Sequence, residues 1–157
     1  MAVLFMTTNA CKHTKQKVLT QQHQVEIHNP GLGMIYIDKV PAQMVMSEAD
    51  TSEGITKFCC YQVGIIDSGF VAKATDKKTL ELGKYYQYDM QKDWFAMING
   101  DSLLPVFFQP KTRKNANCFE GILVFETPKE KDPDTLVYKD SFGQWGTQNI
   151  IFKKVNK

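Results

Sequence analysis

The chain has 157 residues and sets 19 basic against 17 acidic side chains, a net charge of +2 too balanced for a nucleic-acid stripe or a polybasic membrane patch. Hydrophobic residues at 43% and charged residues at 23% are ordinary globular composition, and the length suits one domain with a real core better than two. No run approaches the roughly 20 consecutive apolar residues needed to span a bilayer as a helix.

In chain order, Met1 to Ala10 is apolar and then small and polar, and the character changes abruptly at Cys11. Lys12, His13, Thr14, Lys15, Gln16 and Lys17 follow. This junction resembles the end of a bacterial lipoprotein signal peptide, with Ala10 as the small residue before the cysteine. The resemblance implies that residues 1–10 are a signal remnant, that Cys11 is lipidated, and that the membrane partner is reached through that lipid. Basic rather than acidic residues after the cysteine imply the periplasmic face of the outer membrane. The alternative is that Ala2 to Met6 forms a first strand and Cys11 is an ordinary thiol. Residues 11–24 lack periodic apolar positions and read as a flexible tether leading to one domain over 25–157.

From Val25 onward, short apolar or alternating runs are separated by turn residues, and no window carries a helical stripe. The predicted strands are Gln24–His28, Gly33–Lys39, Lys57–Ile66, Gly69–Lys73, Asp93–Asn99, Pro105–Gln109, Phe119–Thr127, Thr135–Lys139 and Gln148–Lys154. Asp76 to Met90 reads either as a short helical turn around Thr79-Leu80-Glu81-Leu82 or as an extended edge. Phe119 to Thr127 is the strongest strand, apolar on both faces in its middle and closed by Pro128, with Leu123 and Phe125 expected on opposite buried faces. With the two strands after it, it predicts a meander or Greek-key run.

Gly121-Ile122-Leu123-Val124-Phe125-Glu126-Thr127-Pro128, followed by Asp134-Thr135-Leu136-Val137-Tyr138, resembles the closing strands of the telokin-like, DUF4352-type domains of bacterial envelope lipoproteins. Asp93-Trp94-Phe95 and Pro105-Val106-Phe107 stand where that family's middle strands would be. The resemblance implies an all-β, immunoglobulin-like β-sandwich and leaves function open, because sandwiches host many unrelated functions.

The sequence offers no recognisable catalytic constellation. His13, His23 and His28 precede or open the first domain strand, which removes the usual general base and any inward-facing metal set. Cys59 and Cys60 are adjacent and would point to opposite faces of a strand, so neither a zinc site nor a C-x-x-C motif follows. Together with Cys118 they read as buried small hydrophobes, or as one bridge from Cys118 to a member of the pair. Glu120 and Glu126 are expected near opposite ends of their strand, about 20 Å apart at roughly 3.3 Å per residue, too far for a paired-carboxylate mechanism. Asn29-Pro30-Gly31-Leu32-Gly33 lacks the residues of a phosphate loop and reads as a turn. No enzyme, metal or cofactor is expected.

Two connections stand out as contact surfaces. One carries Lys111, Arg113 and Lys114 just after Phe107-Phe108. The other is Ser141-Phe142-Gly143-Gln144-Trp145-Gly146, where Phe142 and Trp145 serve as apolar anchors if exposed or as core plugs if not. The expected function is therefore a lipid-anchored, periplasm-facing domain that binds another envelope protein, as part of an assembly such as a type VI secretion system. The alternatives are an immunity or inhibitor protein acting on an envelope toxin or enzyme, and a carbohydrate or small-ligand binder stacking on Trp94 or Trp145.

Overall fold

The computed structural model describes residues 25–46, 54–70, 76–112 and 115–152. Among these residues nine strands form two antiparallel sheets: β1 Val25–Asn29, β2 Gly33–Val40, β3 Thr56–Asp67, β4 Trp94–Ile98, β5 Asp101–Leu103, β6 Phe107–Pro110, β7 Cys118–Pro128, β8 Thr135–Lys139 and β9 Thr147–Ile151. Neighbours run β1-β2-β3-β7-β6 in the first sheet and β5-β4-β8-β9 in the second. Named in immunoglobulin terms, β2-β3-β7-β6 is the A-B-E-D sheet and β4-β8-β9 the C-F-G sheet, with β5 as an added C′ and β1 as a further edge strand. The chain is thus an immunoglobulin-like β-sandwich.

The sheets meet through one parity of each strand. Ile35, Ile37, Tyr61, Val63, Ile65 and Phe125 of the first sheet share a core with Trp94, Ala96, Leu136, Tyr138 and Ile150 of the second. Period-2 alternation explains a correction: Leu123 and Phe125 are both 0% exposed, but being two residues apart they share the core face. Val124, also 0% exposed, lies on the opposite face. Trp94 occupies the strand-C position, where antibody domains pack a tryptophan on the inter-sheet disulfide; here it stacks on Tyr138 with ring centroids 4.7 Å apart.

No disulfide takes that place among the described residues, since Cys59, Cys60 and Cys118 are buried thiols outside any disulfide. Cys60 pairs with Val124 and Cys118 with Ile66, so six residues of strand, about 20 Å, separate them along the sheet. That excludes the bridge from Cys118 and leaves the thiols as small buried hydrophobes.

Two expectations left open between alternatives are resolved and one strand is not found as expected. β7 and β8 lie in different sheets, so the last three strands are a crossing followed by one hairpin rather than a meander. Gly69 falls in a turn and Phe70 outside any strand, while 71–75 lie outside the described residues. The segment over 76–93 is helical: α1 Lys77–Lys84, a wider π turn Tyr85–Asp89, then a 3-10 turn Met90–Asp93. Asp76 caps α1 by accepting the Lys78 N–H at 3.2 Å. A missed hairpin, β4–β5, turns on Asn99-Gly100 with both φ angles positive, the backbone a two-residue turn between twisted strands demands. Among the described residues no helix is long and apolar enough to cross a membrane.

Candidate functional site

One end of the sandwich gathers the connections that could meet a partner. Gly33 pairs with Asp67 and Ile66 with Cys118, which brings the β1–β2 turn, the exit of β3 and the β6–β7 turn together. Ser68 N–H bonds to Leu32 O at 2.8 Å and Asp67 N–H to Asn117 O at 3.0 Å, tying the three into one surface. The helical segment between β3 and β4 packs across this end. Its π turn buries two adjacent residues, Tyr85 and Tyr86, on one side. Tyr85 stacks on Phe142 of the β8–β9 loop (5.2 Å, 16° between planes), while Tyr86 meets Phe119 at the start of β7 (4.2 Å). The two connections singled out in the sequence therefore flank the same helical segment.

The β8–β9 loop is held by carboxylates rather than by apolar burial alone. Asp140 accepts the backbone N–H of Phe142 (3.3 Å) and of Gly143 (2.7 Å) on Oδ1, and that of Trp145 (2.9 Å) on Oδ2. Asp93, from the end of the helical segment, accepts the Ser141 N–H at 2.9 Å, the Ser141 hydroxyl at 2.6 Å and the Tyr85 hydroxyl at 2.5 Å. Burial, and then the bond to Asp93, hold the Tyr85 phenol well above its ordinary range, so it stays a donor. Its single proton goes to Asp93, which leaves its oxygen to accept from Tyr138 at 3.1 Å. Three chain segments are tied together by this network.

Within that frame Phe142 is 46% exposed, whereas Trp145 is 4% exposed and belongs to the core. Trp145 is thus a core plug, and its role as an exposed anchor is corrected. The same holds for indole stacking on a sugar, since Trp94 is 0% exposed and neither indole offers a free face. Clefts lie on both sides of the Phe142 ridge. One, of about 260 Å³, has a floor of Leu32, Phe70, Leu82 and Trp145 with Lys78 and Gln144 among its polar residues. The other, of about 440 Å³, is charged, with Glu81, Lys84, Asp89 and Lys92. Lys111 is exposed at the start of the β6–β7 turn and donates to Gln62 Oε1 at 2.6 Å. Arg113, Lys114, Cys11, His13 and His23 lie outside the described residues. His28 is exposed on β1 and bonds the Glu26 carboxylate at 3.1 Å.

Two titratable clusters stand away from this end. Asp132 bridges Lys57 (2.8 Å) and Lys39 (3.0 Å), and these ammonium groups lower its carboxyl to about 2. Beside it Cys59 contacts Thr127 at 3.5 Å; burial pushes its thiol up, the reverse of what nucleophilic activation needs. On the outer face of the first sheet Glu120 is 7% exposed and accepts the Tyr36 hydroxyl, the Tyr36 ring lying across Gly64, where any Cβ would collide with it. Glu120 thus stands near the start of β7, as expected, and is buried beneath this neighbour. Among the described residues no group of three or more His, Cys, Asp or Glu is placed to hold a metal ion.

Sequence reasoning missed Asp93, Asp140 and Tyr85, which position Phe142. A signal for Asp140 was present: Asp followed by Ser-Phe-Gly is turn chemistry in which the carboxylate caps the N–H groups two and three residues on. No protein-family model, no curated protein and no solved structure matches this chain.

Proposed function

We propose that the chain is a protein-binding module that docks its partner at the loop end of the sandwich, and that it does so as a component of an envelope assembly, anchored through Cys11 on the periplasmic side. One observation carries the choice of surface. Phe142 holds a large apolar ring half in solvent while its backbone N–H bonds to Asp140 and its face rests on Tyr85. Apolar side chains left in water are ordinary when mobile. An aromatic already fixed in place has little rotamer entropy left to lose on binding, which is what favours it as an interface anchor. The two clefts beside it give a partner's side chains somewhere to go, and the charges around them supply a polar rim.

The test is a photo-crosslinking residue at position 142 of the anchored protein in intact envelopes. A discrete adduct is expected that excess wild-type domain competes away and Phe142→Ala domain does not. Absence of an adduct, or equal competition by both domains, refutes this surface. Because the ring packs on one side only, Phe142→Ala should leave the melting temperature within a few degrees of wild type, at ~1 kcal/mol or less.

A further inference from the structure

Among the described strands, four lie at sheet edges: β1 and β6 in the first sheet, β5 and β9 in the second. Three are blunted by the features that keep sheets from pairing edge to edge. β1 carries Glu26 and His28 on its outer face, β6 has four residues and ends on Pro110, and β5 has three residues beginning with Asp101. β9 reads Thr147-Gln148-Asn149-Ile150-Ile151, without charge or proline, and Ile151 is 68% exposed.

We propose that the chain forms a two-fold dimer by antiparallel pairing of β9 with β9 of a second copy, joining the two four-stranded sheets into one of eight strands. Backbone direction fixes which residues can pair. Asp140 N–H bonds to Gly146 O and Phe152 N–H to Asp134 O, so even-numbered residues along this strand turn their backbone groups toward β8. Direction alternates along a strand, and Thr147, Asn149 and Ile151 therefore present N–H and C=O outward. With the axis at Asn149, Thr147 meets Ile151 of the second copy and Asn149 meets Asn149, for about six new backbone hydrogen bonds. A shift of two residues either way lowers that number to about four and leaves one end of the edge unpaired.

Side chains select a second copy as the occupant through charge and self-complementarity. Each Asn149 amide both donates and accepts, so two of them across an axis satisfy each other. Thr147 and Ile151 form β-branched cross-strand pairs. Among the described residues the cation on the neighbouring strand, Lys139, is in register with Thr147, and its row continues to Ile151 and Thr135 of the second copy rather than to another Lys139. Among the described residues this register brings no like charges together. The antiparallel arrangement also points the two loop ends in opposite directions, so one dimer would present two partner surfaces on opposite sides.

Sedimentation velocity on the full chain over a range of concentrations tests this. The wild type should show a concentration-dependent dimer. Asn149→Lys and Asn149→Asp should each sediment as monomers, because like charges then face each other across the axis, and an equimolar mixture should regain the dimer. Asn149 is exposed, so at concentrations low enough for the wild type to be monomeric both variants should melt as it does. Asn149→Pro removes only an outward N–H and should also be monomeric. A wild type that stays monomeric at every concentration overturns the proposal. So does association that is the same in all samples, or a mixture that fails to recover it.

Discussion

The Asp140 carboxylate offers the sharpest test of how the loop end is held. Replacing it by Ala strips the acceptor from three backbone N–H groups, those of Phe142, Gly143 and Trp145. A hydrogen bond to a charged group is worth roughly 1.5 to 3 kcal/mol, but the N–H groups of Phe142 and Gly143 lie in exposed residues that water can reach, and only Trp145 is buried. The bond to Trp145 should therefore dominate, for a total of about 2 to 4 kcal/mol. Gly143 supplies an internal control. A Cβ at Gly143 would lie 2.4 Å from Asp140 Oδ2. The carboxylate cannot swing away without breaking the bonds that hold it, so Gly143→Ala should cost about 1 to 2 kcal/mol, the scale of a modest overpacking. Once Asp140 is Ala that obstruction is gone, and Gly143→Ala should be nearly free. Urea unfolding of the wild type, both single variants and the double variant gives the coupling directly, with an expected value of about 1 kcal/mol or more. Additive costs, or an Asp140→Ala loss below about 1 kcal/mol, would show that the loop is held by Trp145 packing and not by the carboxylate.

Phe125→Ala should cost about 3 to 5 kcal/mol in the same assay, since the ring is 0% exposed in the core; a loss below about 1 kcal/mol would mean the two sheets do not close over it. Trp94 is 0% exposed with an indole N–H that finds no hydrogen-bond partner, so Trp94→Phe relieves a buried orphan donor and should cost clearly less than Trp94→Ala, which opens the full cavity; equal losses would show that the N–H is satisfied. Asp132→Asn should lower stability at neutral pH by less than about 1 kcal/mol, because the carboxylate is 54% exposed and solvent screens its lysines. Its folded pKa of about 2 lies below the ordinary aspartate value of 3.8, so this contribution is present above 3.8 and is lost as pH falls through about 2. Acid melts of wild type and Asp132→Asn should therefore converge between about pH 4 and pH 2, and a constant gap would point to packing instead.

The sequence by itself determined the fold class. Alternation and turn residues marked eight of the nine described strands, all but β5, because a strand half-buried in a sandwich must alternate and a connection must break the run. β8 was legible to the residue, Thr135–Lys139, bounded by Pro133-Asp134 and Asp140-Ser141. The β6–β7 and β8–β9 connections were legible as candidate contact surfaces, since charge and aromatic content stand out in a short turn. Tertiary structure decided the rest. Whether Trp145 faces water or core depends on Asp140 and the helical segment, neither of which local pattern connects to it. That segment was ambiguous because α1 spans only eight residues and gains its order from Tyr85 and Tyr86 packing on Phe142 and Phe119, contacts with partners more than thirty residues away. Sheet membership was equally hidden: β7 and β8 are neighbours in sequence and occupy opposite sheets, and only the closing of one core between them makes that crossing favourable.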